Sequence, residues 1–378
     1  QYKINVKERL NVIYLDNAAT TLICDAAKKA ILEHLDDFGN PSSNHELGRK
    51  ARLLIEDARA RIAKFINAEP DEIYFTSGGS EANTWALYQK DVNASNIEHH
   101  SIVPDATFRV NSDGFVDLSA FDRSLENYSE MVWDIFDIAV SCMMVNNEIG
   151  TIQPIKEIAR IAHDYKTVCH TDAVQAIGNI PVDVKELDVD MLSASGHKFG
   201  APKGVGFLYI KSGISVDKLI KGGKQENNLR GGTENTVGII AMAAALEDAI
   251  EHMEERRIYV TRLRDRMLEK LLKIPNSYLN GALYNRVGSN INIRFDGVLG
   301  SRLAALCGLY GICISTGSAC NEGTPESSHV LKAIGLSDEE ALSSIRITIG
   351  YQNTVEEINY AADIITKLVE RIRCDEKT

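Results

Sequence analysis

The 378-residue chain is long for a single hydrophobic core, so two domains or one large α/β domain are expected. Its 44% apolar and 25% charged residues are ordinary for a globular protein and exclude global disorder. A net charge of -12 argues against nucleic acid or an anionic membrane as the main partner, but leaves room for a local basic pocket that binds one phosphate.

Neither membrane insertion nor secretion is expected from the sequence. The longest uninterrupted apolar run, Val237 to Leu246, is far shorter than a membrane span. No basic segment followed by an apolar core opens the chain, so we expect no secretion signal. The seven cysteines include no C-x-x-C pair, which disfavours a disulfide framework and a zinc or iron–sulfur site. These features predict a protein of the reducing cytoplasm.

Short apolar segments alternate with amphipathic ones through the first two thirds of the chain. Strands are predicted at Ile73–Thr76, Ile138–Met144, Thr167–His170, Met191–Ala194 and Val205–Ile210. Helices are predicted from Ser80 onward and over Pro154–Tyr165, where a proline stands near the first turn. Asp91–Ile97 has the residue types of a poor strand. The alternation predicts an α/β fold with a mostly parallel sheet covered by helices on both faces.

The last third of the chain predicts a smaller α/β domain. A long helical stretch runs from Thr236 to about Lys273, and strands are predicted at Asn290–Arg294, Gly311–Ser315 and Ser344–Ile349. A helical stretch of this length often connects two domains. We therefore predict a large domain over residues 21–250 and a small domain made of residues 1–20 and 251–378.

The first chemical signal is a strand that runs through glycines into a helix, Phe75 to Glu81. Glycines let the backbone approach an anion, and the first N–H groups of a helix point at it. A plain strand-to-helix turn is an equally good interpretation of this segment alone. The segment is neither a P-loop nor G-x-G-x-x-G, so it does not support nucleotide binding.

Two further strand ends contain ionisable groups. Asp172 follows the strand Thr167–His170, where it could pair with a cation, bind a metal or cap a helix. His170 and Asp172 have no third and fourth ligand at convincing spacing, so no metal site is predicted. Lys198 follows the next predicted strand, where a nearby apolar sheet can lower its pKa and make the amine nucleophilic. A lone lysine is usually a solvated surface residue.

Taken together, these groups match what pyridoxal 5'-phosphate (PLP) requires. PLP needs an anion site for its phosphate, a carboxylate for its ring nitrogen and an amine for its aldehyde. Asp172 supplies the carboxylate and Lys198 the amine. Gln175 can donate to the phenolic oxygen, and His99 follows a short apolar segment from which its ring can stack on the cofactor.

Motifs along nearly the whole chain resemble the cysteine desulfurases, which belong with the class V aminotransferases among the fold-type I PLP-dependent transferases. The matching segments, in the family's order, are Tyr14–Thr20, Gly39–Arg49, Phe75–Asn83, Glu98–His100, Val145–Gly150, Asp172–Gln175, Ser195–Gly206, Arg230–Asn235, Thr316–Cys320 and Ser344–Gly350. The resemblance implies PLP as cofactor and a large sheet domain followed by a smaller C-terminal α/β domain.

The resemblance assigns the cofactor contacts to particular residues. It implies that Lys198 binds the cofactor covalently and later moves the substrate α-proton. Asp172 pairs with the ring nitrogen, Gln175 with the ring hydroxyl, and His99 stacks on the ring. The implied phosphate contacts are Gly79, Ser80, Ser195 and His197.

Other implied roles concern the partner subunit and the substrate. Thr233 is expected to reach the phosphate of the other subunit, which implies a homodimer. Asn147 and Arg346 are expected to hold the carboxylate of L-cysteine. Cys320 lies in a glycine-bearing loop and is expected to be the nucleophile that takes the substrate sulfur as a persulfide and leaves L-alanine. His99 is the candidate to move the substrate thiol proton.

The sequence therefore predicts a cysteine desulfurase that delivers sulfur to an acceptor protein, such as an iron–sulfur scaffold, or serves tRNA thiolation. One alternative is a selenocysteine lyase or another class V aminotransferase-like enzyme, neither of which requires a thiol at position 320. Another is a catalytically idle homologue that acts as a binding partner. Such a homologue would be expected to lack Lys198, Asp172 or Cys320, and all three are present.

Overall fold

The structure, a computed structural model, describes residues 12–131, 138–316 and 327–375. Its strands are β1 Ile13–Tyr14, β2 Ile73–Thr76, β3 Asp91–Ser95, β4 Ala106–Phe108, β5 Ile138–Ser141, β6 Val168–Asp172, β7 Met191–Ser195, β8 Gly206–Ile210, β9 Ser277–Leu279, β10 Asn290–Phe295, β11 Ile312–Cys313 and β12 Ser344–Thr348.

Helices separate most of these strands. They are α1 Asp25–His34, α2 Glu46–Phe65, α3 Gly79–Ala86, α4 Leu118–Met131, α5 Ile155–Asp164, α6 Val184–Leu187, the short α7 Gln225–Asn228, α8 Thr236–Glu251, α9 Met253–Leu271, α10 Gly300–Leu309, α11 His329–Ala333, α12 Asp338–Leu342 and α13 Val355–Asp375. None of the helices in the described ranges is long and apolar enough to cross a membrane.

A seven-stranded sheet in the order β2-β8-β7-β6-β5-β3-β4 forms the centre of the molecule. Strand β8 runs antiparallel to both of its neighbours, and the other pairs are parallel. The predicted mostly parallel sheet is therefore confirmed. Since β2 and β7 are each antiparallel to β8, the carboxyl ends of β2, β5, β6 and β7 all lie at the same edge.

Both faces of this sheet are buried, as the short apolar strands predicted. Met191 and Leu208 belong to one hydrophobic cluster, while Leu192 and Phe207, their neighbours along β7 and β8, belong to another. Alternate side chains of a strand point to opposite faces, so helices must cover the sheet on both sides. The strand ends are consequently held by packing from above and below.

The sequence interpretation of Asp91–Ile97 as a poor strand is wrong. Strand β3 covers Asp91–Ser95 and pairs in parallel with β4 on one side and β5 on the other. Its polar Asn93 is fully buried, and neither side-chain polar atom has a hydrogen-bond partner in the described part of the chain. Pairing on both edges overrides the low strand propensity of aspartate, asparagine and serine.

The predicted helical stretch from Thr236 to Lys273 is two helices, α8 and α9, that meet at His252. The side chains of His252 and Arg256 both donate to the carbonyl of Asp248, at 2.9 and 3.2 Å. This carbonyl lies in the last turn of α8, where side-chain donors satisfy backbone acceptors and end the helix.

A third hydrophobic cluster gathers Leu15 with residues from Val260 to Ile372. It lies around the antiparallel sheet β12-β10-β9 and the helices α9 and α13. Strand β1 pairs in parallel with β11, so the first described residues join the C-terminal part of the chain. The division into domains at residues 20 and 250 stays a prediction.

Candidate active site

A cavity of about 470 Å³ opens at the edge of the central sheet where β2, β6 and β7 end. Parallel strands bring the loops at their carboxyl ends together, so residues far apart in sequence meet there. The predicted site residues that line the cavity are Gly79, Ser80, His99, Asn147, Asp172, Gln175, Ser195, His197, Lys198 and Arg346.

Lys198 lies on a single 3-10 turn directly after β7. Its Nζ donates to the backbone carbonyls of Ala18 and Ala19 at 2.5 and 3.0 Å. Burial lowers the pKa of Lys198 to about 8, with the nearby Arg346 acting in the same direction. Unlike a solvated surface lysine, Lys198 therefore has a substantial unprotonated fraction near neutral pH.

Asp172 is the last residue of β6 and is almost fully buried. Its Oδ2 accepts a hydrogen bond from Asn83 Nδ2 at 2.6 Å, and its Oδ1 accepts one from the backbone N–H of Val174 at 2.9 Å. These donors hold the carboxylate at the cavity wall. Gln175, one turn further, donates from Nε2 to the carbonyl of Ala18 at 3.0 Å.

The segment between β2 and α3 comes close to its neighbours because it contains glycines. Gly78 has a φ of +154°, and a Cβ on Gly79 would lie 2.6 Å from Val174 Cγ2. Only glycine lets the start of α3 pack this tightly. The backbone N–H groups of Gly79 and Ser80 belong to the first turn of α3, which has no intrahelical acceptors to offer them. They are suited to binding an anion at the cavity.

The two histidines at the cavity differ in environment. His197 Nδ1 lies 3.1 Å from Thr20 Oγ1, and burial, with help from the charge of Lys198, lowers the pKa of His197 to about 4. His99 is open to the cavity, yet the surrounding protein atoms lower its pKa by desolvation. Both rings are therefore held as neutral imidazoles near neutral pH.

Arg346 is the buried cation of the site, on β12. Its Nη2 pairs with Asp16 Oδ1 at 2.9 Å, and its Nη1 donates to the carbonyl of Asn147 at 3.1 Å. Its Nε has no hydrogen-bond partner among the described residues. The guanidinium is thus fixed at two points and retains donor capacity for a ligand.

The structure does not bring Thr233 into this cavity. Thr233 is exposed and lines a neighbouring cavity, to which Ser77 and Gly204 belong as well. The two cavities thus share one wall. A role in the site of another subunit stays a prediction.

Cys320 lies outside the described residues, but the residues that flank 317–326 are at the site. Ser315 forms a β-bridge with Arg346 before this segment. After it, Ser328 Oγ donates to Glu148 Oε2 at 2.5 Å, and His329 Nε2 donates to the carbonyl of Glu98 at 2.9 Å. The residues on both sides of 317–326 therefore contact either a residue that lines the cavity or the sequence neighbour of one.

Sequence reasoning missed several polar groups around the cavity. Asp16 pairs with Arg346, Asn83 donates to Asp172, and Ser101 contacts His99. Glu98 and Glu148 are buried carboxyls, and desolvation raises the pKa of Glu98 to about 8 and that of Glu148 to about 7. Four of the five lie inside the motifs that support the resemblance, whereas Ser101 lies just outside one and has no sequence signal.

The residues present fit PLP. One cavity, large enough for a small heterocycle, is lined by three kinds of group that PLP requires. They are the buried carboxylate of Asp172, the amine of Lys198 with its lowered pKa, and the N–H groups at the start of α3. Gly79 leaves the space that a Cβ would fill. The chemical role of each residue toward the cofactor stays a prediction.

Comparisons with known proteins identify the family of the chain. The family model for class V aminotransferases matches residues 13–360. The chain is 41% identical to "Cysteine desulfurase IscS" of Methanosarcina thermophila, over 98% of this chain and 95% of the relative, and 43% identical to the protein of that name from Dictyoglomus turgidum, over 96% and 95%.

Solved structures give the same result. A NifS-like protein from Rickettsia africae superposes with a TM-score of 0.87 at 32% identity, covering 95% of this chain and 99% of the other. A structure described as SspA in complex with cysteine matches with a TM-score of 0.74 at 30% identity, covering 90% and 99%. The fold and the family predicted from the sequence are thus confirmed, and the chain belongs to the cysteine desulfurases of the class V aminotransferase family.

Proposed function

We propose that this chain is a PLP-dependent cysteine desulfurase that converts L-cysteine to L-alanine and transfers the sulfur to Cys320. The observation that carries the proposal is the cavity in which Lys198, with its pKa lowered to about 8, faces Asp172 and Arg346. An activated amine, a buried carboxylate and a buried guanidinium in one cavity are suited to amino-acid chemistry on PLP.

In this proposal, the residues at the strand ends hold the cofactor. PLP, when bound, supplies an electron sink for bonds at the substrate α- and β-carbons. Lys198 would hold the cofactor through its aldehyde, and its Nζ would move the substrate proton. Asp172, which accepts hydrogen bonds from Asn83 Nδ2 and the Val174 N–H, would pair with the ring nitrogen. The N–H groups of Gly79 and Ser80, with Ser195 and His197, would hold the phosphate, and Gln175 would donate to the ring hydroxyl.

Arg346 and Asn147 orient the substrate. A guanidinium fixed by Asp16 and by the Asn147 carbonyl loses little side-chain freedom when it binds a carboxylate. The Arg346 Nε, which lacks a partner among the described residues, offers a further donor. An amino acid held by its carboxylate presents its side chain in a defined direction, which supports a substrate as small as cysteine.

The sulfur is transferred to the thiolate of Cys320. The thiolate attacks the substrate sulfur, the new S–S bond forms as the carbon–sulfur bond breaks, and the carbon takes up a proton. The balance is L-cysteine plus the Cys320 thiol giving L-alanine plus a Cys320 persulfide. Attachment of both flanks of this segment at the site supports the role of Cys320. His99, at the cavity wall, is the residue proposed to handle the thiol proton.

The test is the pair Cys320→Ser and Cys374→Ser. Cys374 is an exposed cysteine on α13 and serves as the matched control. We expect Cys320→Ser to retain the yellow absorbance of bound PLP but to lose alanine release from cysteine in the presence of a thiol reductant. Cys374→Ser should behave as wild type. Alanine release that survives Cys320→Ser would refute the persulfide mechanism.

The same assay with selenocysteine separates the main alternative. A selenocysteine lyase or related class V enzyme needs no thiol at position 320, so its turnover should survive Cys320→Ser. The sequence feature that favours the desulfurase is Cys320 itself, in a segment whose ends are attached at the cavity. Faster turnover of selenocysteine that is insensitive to Cys320→Ser would favour the lyase.

We further propose that the protein is a homodimer that acts in the cytoplasm. It passes persulfide sulfur to an acceptor protein, such as an iron–sulfur scaffold, or supplies sulfur for tRNA thiolation. Exposed apolar side chains on and between α1 and α2, namely Leu32, Phe38 and Leu53, support burial against a second copy. The position of Thr233 in a neighbouring cavity supports its use by that copy. Light scattering gives the mass, and co-purification with a scaffold protein tests the acceptor.

A further inference from the structure

Among the described residues, His99 accepts hydrogen bonds on one ring nitrogen only. The backbone N–H of Ser101 donates to His99 Nδ1 at 3.1 Å, and Ser101 Oγ lies 2.8 Å from the same atom. Because a backbone N–H can only donate, Nδ1 must present its lone pair. Neutral imidazole has one protonated nitrogen, so the proton of neutral His99 is on Nε2.

Asn83 directs the hydroxyl of Ser101 toward the ring. The atom of Asn83 that lies 2.6 Å from Asp172 Oδ2 must be the amide nitrogen, since the carboxylate accepts. The same nitrogen donates its second hydrogen to Ser101 Oγ at 2.9 Å. With its oxygen accepting from Asn83, the Ser101 hydroxyl is oriented to donate to His99 Nδ1. Asp172 and His99 are therefore linked through two side chains.

The other ring nitrogen, Nε2, is the one left for a ligand in the cavity. In the described part of the chain, His99 Nε2 meets no hydrogen-bond partner, and His99 lines the cavity together with Asp172 and Lys198. Nε2 is thus the ring atom with which His99 contacts a ligand. Its protonation state decides whether the ring offers a donor or a base there.

Resting on the proposed function, we propose that Ser101, oriented by Asn83, is a positioning residue that holds His99 in the tautomer with its proton on Nε2. Neutral His99 then offers the cavity a hydrogen-bond donor, and the base there is the amine of Lys198. In this state His99 donates a hydrogen bond to the substrate sulfur and cannot accept the thiol proton at Nε2, so the proton-handling role proposed above is donation from Nε2 to sulfur. The geometry thus gives His99 the role of hydrogen-bond donor and Lys198 the role of base.

The charged and titratable groups around His99 act in both directions. Desolvation lowers the pKa of His99, and the positive charge of Lys198 and the neighbouring His100 act in the same direction, while Asp172 opposes them. His329 on α11 lies against His100, with ring centroids 4.8 Å apart, and interacts electrostatically with His99. The net effect keeps the ring neutral near pH 7, so the tautomer is the property that matters there.

The tautomer can be read directly by nitrogen NMR of the purified PLP-bound protein labelled with ¹⁵N-histidine. His99→Gln identifies the His99 signals by their loss. We expect an unprotonated, hydrogen-bonded Nδ1 and a protonated Nε2 at pH 7.5. A proton on Nδ1, or averaged signals from both tautomers, would overturn the proposal.

Three variants test the part played by Ser101. Ser101→Ala removes the hydroxyl donor that favours the neutral ring, so the pKa of His99 should rise in the NMR titration. The acidic limb of the alanine-release profile should move in the same direction. Ser101→Thr keeps a hydroxyl and should restore both values, and Ser119→Ala, an exposed serine on α4, should change neither. An unchanged His99 pKa in Ser101→Ala, or no restoration by threonine, contradicts the assignment.

The two proposals fail in different ways. If no alanine is formed from cysteine while the NMR signals show the Nε2 tautomer, the desulfurase function is wrong and the positioning role of Ser101 stands. If alanine is formed but the tautomer is reversed, the desulfurase function stands and the positioning role is overturned.

Discussion

The lowered pKa of Lys198 leads to a quantitative expectation for cofactor capture. With a pKa of about 8, about one tenth of the amine is unprotonated at pH 7. An ordinary lysine with a pKa of 10.5 would have about one part in 3,000 unprotonated, so burial and Arg346 raise the reactive fraction about 300-fold. The capture rate of PLP by PLP-free protein should therefore rise with pH and level off just above pH 8.

The perturbation that tests this cause is Arg346→Gln. It removes a positive charge that lowers the pKa of Lys198 and frees Asp16, which raises it. Both changes favour the protonated amine, so the pH midpoint of capture should rise. A tenfold slower capture at pH 7 corresponds to about 1.4 kcal/mol of differential interaction, which is the size we expect from one nearby charge.

The assay is stopped-flow absorbance at saturating PLP from pH 6 to 10. Arg294→Gln is the matched control, because Arg294 is an ion-paired arginine on the neighbouring strand β10 but contributes nothing to the pKa of Lys198. Its midpoint should equal that of wild type. A wild-type midpoint near 10.5, or equal midpoints for Arg346→Gln and wild type, would refute the reasoning.

Three further changes have definite expected results. Gly79→Ala places a Cβ 2.6 Å from Val174 Cγ2 and should weaken PLP retention in dialysis at least tenfold, whereas Gly308→Ala, which meets nothing within 4 Å, should not. Thr233→Ala should weaken PLP retention about tenfold by loss of one charge-assisted hydrogen bond, and retention equal to wild type would count against a shared site. Burial raises the pKa of Glu98 from 4.5 to about 8, so the contribution of Glu98 to stability is present below pH 4.5 and is lost as pH rises toward 8. The melting temperature of wild type should therefore fall over this pH range, and Glu98→Gln should remove that fall. Parallel melting-temperature curves for wild type and variant would contradict this expectation.

Much of the site could be predicted because parallel strands have a simple geometric consequence. Thr76, Asp172 and Ser195 end strands that run in the same direction, so the groups just beyond them had to meet. The glycines of the Phe75–Glu81 segment were visible in sequence, and their need is explained by the approach of Val174 to Gly79. The position of Lys198 followed from the same rule.

Other features depend on contacts that no local pattern encodes. Strand β3 looked poor because Asn93 and Ser95 are polar, and it forms because β4 and β5 pair with both of its edges. The break at His252 depends on two side chains that meet one carbonyl. The proposed role of Ser101 depends on the direction that Asn83 gives to its hydroxyl. The amide of Asn83 is in turn oriented by Asp172, at the end of β6.

The pairing of Arg346 with Asp16 explains why the first described residues belong to the site. Asp16 follows β1, which pairs with β11, and Arg346 lies on β12, so residues distant in sequence come together in one small region. A buried guanidinium without a partner would be costly, and a carboxylate from a ligand alone would leave that cost in the free protein. Asp16 and the Asn147 carbonyl neutralise and orient the cation beforehand, while its Nε stays available. The proposed role of Arg346 in binding the substrate carboxylate thus rests on a guanidinium that the protein itself already holds in place.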